Sequence, residues 1–132
     1  MSAAVAEGRG ATESMLAKIN QIRRAHGLRA LHQSGSLTRS ATRFSRHLMR
    51  TNTFGHASHI EASRRFARLG EVLAIHSGRS SAVGWTVSSW MNSPPHRAIL
   101  LSPAFTSVGF GRTYGRFRGH RANIWVGQLG HR

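Results

Sequence analysis

The chain has 132 residues, of which 39% are hydrophobic and none is cysteine. That suffices for one compact domain with its own core but leaves no disulfide framework. Its 19 Lys and Arg against 4 Asp and Glu give a formal charge of +15, which favours polyanionic partners. No apolar run is long enough to span a membrane. Residues 1–10 carry neither a basic start nor a sustained apolar stretch, so they do not read as a signal peptide.

In chain order, residues 1–11 read as a flexible tail and 12–132 as a single domain. Thr12 can cap a helix whose apolar positions Met15, Leu16, Ile19 and Ile22 follow helical spacing and which stops near Gly27. A second helix begins near Ser36, with Leu37, Ala41, Phe44 and Leu48 as its core stripe. A short third helix is expected over 61–69, ended by Gly70, and a buried strand over 72–75. Ser80 or Ser81 opens a fourth helix with Val83, Val87, Trp90 and Met91 facing inward. Ser93 then suits an N-cap, and Pro94 and Pro95 suit the first helical positions. His96 falls in the first turn of this last helix, which Pro103 ends. Strands over 106–113 and 122–129, joined by a loop over 114–121, form a hairpin. Gly109-Phe110-Gly111 reads as close strand packing, and Trp85, Trp90 and Trp125 as core or cleft wall. The fold class is therefore α+β, an α-β-α sandwich with a small antiparallel sheet flanked by helices.

Charge is unevenly placed. The acids are Glu7, Glu13, Glu61 and Glu71, so no side-chain carboxylate follows Glu71. On the second helix Arg39, Arg43, Arg46 and Arg50 form a ridge opposite the apolar stripe. Like charges at that spacing repel by about 0.2–0.5 kcal/mol per pair, and an anionic partner would relieve the repulsion. A solvated face whose arginine stems shield apolar surface fits the same pattern. The loop over 114–121 interleaves Arg116, Arg118 and Arg121 with Tyr114 and Phe117, a mixture suited to phosphate, stacked bases or acidic polysaccharide. No nucleic-acid motif accompanies it, so nonspecific polyanion binding is the expectation.

Three residues suggest a site. The dipole of the last helix disfavours protonated His96, and a neutral imidazole binds metal or accepts a proton. Glu71 lies between Gly70 and the apolar run 72–75, which places its carboxylate in a partly desolvated cleft where it needs partners. His56 follows the second helix and could supply one. Purely structural roles also fit: His56 closing a loop, His96 fixing the Pro94-Pro95 corner, and Glu71 pairing with an arginine.

Four blocks carry a family resemblance: Ile19-Asn20 with Arg23 ahead of Gly27-Leu28, Phe54-Gly55-His56, Gly70-Glu71, and Trp90 through Ser93-Pro94-Pro95-His96. In this order and spacing the chain resembles the CAP superfamily (cysteine-rich secretory proteins, antigen 5 and pathogenesis-related proteins), in its cysteine-free bacterial SCP-like branch. The resemblance implies an α-β-α sandwich, an extracellular or cell-envelope setting, and a central cleft lined by two histidines and two glutamates. His56, Glu71 and His96 match three of the four. The second glutamate should fall near Ser93, where no acid occurs. Val72 replaces the usual asparagine, and the threonine-glutamine pair of the last strand reads as Val126-Gly127.

The expected function is a noncatalytic binding domain that takes a small ligand in the cleft or an envelope polyanion along the arginine surface. It needs no cofactor, and zinc is the candidate metal for His56, Glu71 and His96. The alternative is a hydrolase in which Glu71 acts as general base while His56 and His96 hold zinc or polarise the substrate. A nonspecific polyanion-binding module is the third reading.

Overall fold

The computed structural model describes the backbone of residues 3–132 and the side chains of residues 10–132. Four helices, α1 (Ala3–Ala25), α2 (Gly35–Thr51), α3 (Val83–Met91) and α4 (Pro94–Leu100), accompany four strands. These are β1 (His32–Gln33), β2 (Arg68–Ser77), β3 (Ser107–Phe117) and β4 (His120–His131), in the sheet order β1-β3-β4-β2. β3 and β4 form a hairpin, β2 pairs antiparallel with β4, and β1 pairs parallel with β3.

Alternation along the strands sorts the core into two layers. Val72, Ala74, Trp125 and Leu129 point to one face, where they pack with Met15, Ile19, Val87, Trp90 and Leu100 from α1, α3 and α4. Leu73, Ile124 and Val126 point to the other and meet Ala41, Leu48 and Met49 of α2. Helices on both faces make the α-β-α sandwich. The approach of α2 is unusually close: a Cβ on Gly109 would run into the backbone of Leu37 and Thr38, and one on Gly111 would reach the backbone of Thr42 at 2.5 Å. The Gly-Phe-Gly step is thus close packing of a helix on a strand.

Arg23 is 1% exposed and meets no carboxylate among the described residues. Its guanidinium donates instead to four backbone carbonyls, those of Arg29 (2.9 Å), Leu100 (2.8 Å), Ser102 (3.0 Å) and Phe105 (3.3 Å). Asn20 exchanges two hydrogen bonds with the backbone of Leu31. Together these side chains staple the end of α1 to β1 and to the α4–β3 connection.

Several expectations need correction. The first helix starts at Ala3, so Thr12 is an interior residue and not its cap. Of the segment 1–11 assigned to a tail, residues 1 and 2 lie outside the described residues and 3–11 are helical. The expected helix over 61–69 is a single 3-10 turn, Ser63–Arg65, because β4 recruits residues 68–71 into a ten-residue β2. Ala82 in the left-handed region (φ 47°), rather than Ser80 or Ser81, precedes α3. The loop over 114–121 is mostly ladder, with Arg116 opposite Arg121 and a two-residue turn at Arg118-Gly119. Both turn residues have positive φ (50° and 85°), as the tight turn matching strand twist requires. Trp90 and Trp125 are buried and donate to the carbonyls of Leu73 and Ser81, whereas Trp85 is 56% exposed beside His76.

Candidate functional site

The site grows from a cross-strand pair. Glu71 on β2 stands opposite Gln128 on β4, and both side chains lie on the α2 face with Leu73 and Val126. Glu71 is buried, and both of its oxygens are engaged. Oε2 accepts from the Gln128 amide at 2.8 Å. Oε1 accepts from the backbone N–H of Ala57 at 2.9 Å and from His56 Nδ1 at 3.1 Å. The loop bearing His56 reaches the sheet because Asn52 closes α2 in the left-handed conformation. A carboxylate only accepts, so His56 must present Nδ1–H to it and leave Nε2 facing outward. Gln128 must likewise present its NH2 group to Glu71, which points its carbonyl oxygen away.

His96 occupies the first turn of α4, as expected, and its Nδ1 lies 2.7 Å from Ser93 Oγ. Ser93 is the N-cap residue by position, but its hydroxyl is given to His96 instead of to a backbone N–H. Burial pushes the His96 pKa down from its ordinary value, and the neighbouring charge of His56 pushes it the same way. The neutral form is therefore favoured, as the helix position suggested, though burial is the larger cause. His56 and Glu71 are thus brought together, and His96 stands within electrostatic reach of His56 with no hydrogen bond to either.

This donor set does not fit a resident metal. Glu71 spends both oxygens on protein donors, and among the described residues no group of three His, Cys, Asp or Glu side chains is placed to hold an ion. Its carboxylate instead fixes the tautomer of His56 and pins the 52–57 loop to the sheet.

Beside this pair, a cleft of about 490 Å³ opens between α2 and the loop that follows it. Arg43, Arg46 and Arg50 border it, Phe44 and His59 supply ring surface, and Ser40 and Gln128 reach it from below. All four ridge arginines are exposed, and Arg43 pairs with Glu61. The ridge continues into the hairpin tip, because the Arg118 N–H donates to Asn52 Oδ1 (2.7 Å) and Arg118 Nε to the Asn52 carbonyl (3.3 Å). Arg118 and Arg121 also lie over the rings of Phe117 (5.0 Å) and Tyr114 (5.8 Å), within cation–π range. Arg112, also on β3, is turned inward and donates to Asn123.

Sequence reasoning missed Gln128 and Ser40. Gln128 sits two residues beyond Val126 and four beyond Ile124, so strand alternation places it on the α2 face. Ser40 interrupts the apolar stripe three residues after Leu37.

Known structures share this fold. An extracellular protein containing an SCP domain from Bacillus anthracis superposes with a TM-score of 0.78 at 23% identity, over 95% of this chain and 41% of that one. An outer surface protein of Borrelia burgdorferi gives 0.75 at 21% identity, over 93% of both chains. A cysteine-rich secretory protein from Staphylococcus aureus gives 0.57 at 17% identity, over 90% of this chain and 38% of that one. This chain thus spans about two fifths of the Bacillus and Staphylococcus proteins. No curated protein matches the sequence. Residues 16–129, nearly the whole sandwich, match the cysteine-rich secretory protein family model, and the chain therefore belongs to the CAP family.

Proposed function

We propose that this chain is a noncatalytic CAP binding domain of an extracellular or cell-envelope setting that engages polyanions along the arginine face of α2. The observation that carries the reading is the imbalance on that face. Among the described residues only Arg43 of the four ridge arginines meets a carboxylate, while Arg46 and Arg50 border an open cleft. The setting rests on the relatives, which include an extracellular protein of Bacillus and an outer surface protein of Borrelia. The burial and engagement of Glu71 count against the hydrolase reading, since a general base must reach its substrate, and this carboxylate is 7% exposed with three of its roughly four acceptor positions taken.

Heparin and a short single-stranded DNA serve as probes. Affinity for both should fall steeply with salt, because binding releases condensed counterions. Replacing Arg39, Arg43, Arg46 and Arg50 by glutamine should flatten the salt dependence for DNA by roughly one unit for each arginine in contact, with the melting temperature held. Salt-independent binding, or a quadruple variant that binds like the wild type, would sink the proposal.

A further inference from the structure

We infer that the cleft beside α2 is a subsite for an anionic sugar, a hexose-sized unit carrying a phosphate or a carboxylate. The inference rests on the polyanion reading above and narrows it to a chemical class.

Two buried polar atoms support a ligand more specific than a counterion. Ser40 is 3% exposed and Gln128 1% exposed. Both line the cleft, yet Ser40 Oγ and Gln128 Oε1 meet no hydrogen-bond partner among the described residues. Buried polar groups left unpaired are costly, so such atoms bordering a cavity mark where a ligand's own polar groups belong. The orientation of Gln128 follows from its neighbour. Glu71 takes the amide NH2 group at 2.8 Å, so the atom left without a partner is the carbonyl oxygen, which only accepts. A bare anion has nothing to donate to it. A ligand that satisfies Gln128 must bring an N–H or O–H, while Arg46 and Arg50 at the rim call for negative charge; Arg43 already pairs with Glu61, which also lines the cleft. Hydroxyl and anion in one molecule describe a sugar acid or a sugar phosphate. Phe44, half-buried in the cleft wall, offers an apolar face for the C–H side of a pyranose ring. About 490 Å³ is of the size that small-ligand pockets have.

Calorimetric titration of the whole chain at low salt tests this with glucose 6-phosphate, glucuronate, glucose and inorganic phosphate. At least one of the two anionic sugars should bind about tenfold or more tightly than either glucose or inorganic phosphate. Binding of the phosphate ester alone, or of the uronic acid alone, identifies which anion the cleft takes. Ser40→Ala should weaken the preferred sugar by roughly threefold to tenfold, the loss of about one hydrogen bond, and leave the melting temperature unchanged. Arg46→Gln should weaken every anion. If inorganic phosphate matched the sugar phosphate and Ser40→Ala bound like the wild type, the cleft would be a charge site only and the inference would fall. Equal binding of neutral glucose would overturn it as well. Retention of arginine-dependent heparin binding alongside absence of any sugar-acid binding would refute this subsite and leave the polyanion reading standing.

Discussion

The two faces of the sheet use the same residue type in opposite ways. On the α1, α3 and α4 face, Arg23 is buried and spends its guanidinium on four carbonyls. On the α2 face, Arg39, Arg43, Arg46 and Arg50 are exposed, and among the described residues only Arg43 pairs with a carboxylate. The large fully buried aromatics, Trp90 and Trp125, lie on the first face, whereas Glu71, Gln128 and Ser40 lie on the second. The first face holds the domain together, and the second keeps polar groups within reach of a cleft. A positive charge therefore says little about binding until its partners are known: Arg23 is already committed inside the fold, and Arg46 is available.

The largest effect that tests this division is at Arg23. Arg23→Met keeps the length and apolar stem but strands four carbonyls, two of them in the connection that follows α4. Each buried carbonyl left without its donor costs about 1–3 kcal/mol, so the four together should cost several kcal/mol. Denaturant unfolding should show a loss of that order with heparin binding intact in the folded fraction. A loss below about 1 kcal/mol would mean that the staple contributes little and that the contrast between the faces is overstated.

Gly109→Ala probes the other face and should come next. The new methyl group meets helix backbone, which cannot step aside as a flexible side chain would, so overpacking of about 1–3 kcal/mol is expected. Gly84→Ala is the matched control on α3, since its Cβ would meet nothing within 4 Å. There alanine should stabilise by up to about 1 kcal/mol. Equal melting temperatures for the two variants would show that α2 does not depend on the close approach at Gly109.

Much of this contrast is legible in the sequence. The stripe of α2, the prolines that start and end α4, and the alternation of 122–129 each reflect one local rule, and the structure keeps them. The failures share a cause, which is pairing between distant segments. β1 has only two residues, both exposed, and exists because β3 offers it an edge. Residues 68–71 join β2 because β4 is long enough to pair with them, which leaves one 3-10 turn where a helix was expected. The hairpin runs past its apolar part because a turn at Arg118-Gly119 lets polar residues continue the ladder. At the site, the Gly70-Glu71 block identified the carboxylate, and the partnership with His56 followed from the resemblance. Gln128 did not follow, since it meets Glu71 only through the pairing of β4 with β2, 57 residues apart in sequence.

The smallest expected effect is a pH dependence at the margin between the two faces, where α4 carries His96. Burial, and then the charge of His56, hold the His96 pKa below its ordinary value of 6.5. Above that value His96 is neutral in both the folded and unfolded chain and adds no slope. As pH falls through 6.5, the unfolded chain takes up a proton that the folded chain resists. The unfolded state then binds more protons, and stability falls with acidification. The loss continues down to the folded-state pKa and stops there, where both states are protonated. His96→Asn removes this group, so the difference in melting temperature between wild type and variant should be constant above pH 7 and drift against the wild type as pH falls below 6.5. Subtracting the variant isolates His96 from other groups that titrate in the same range. A difference that stayed flat from pH 8 to pH 5 would show that His96 is no more burdened by protonation in the fold than in the open chain. The electrostatic link between α4 and the His56 loop would then be absent.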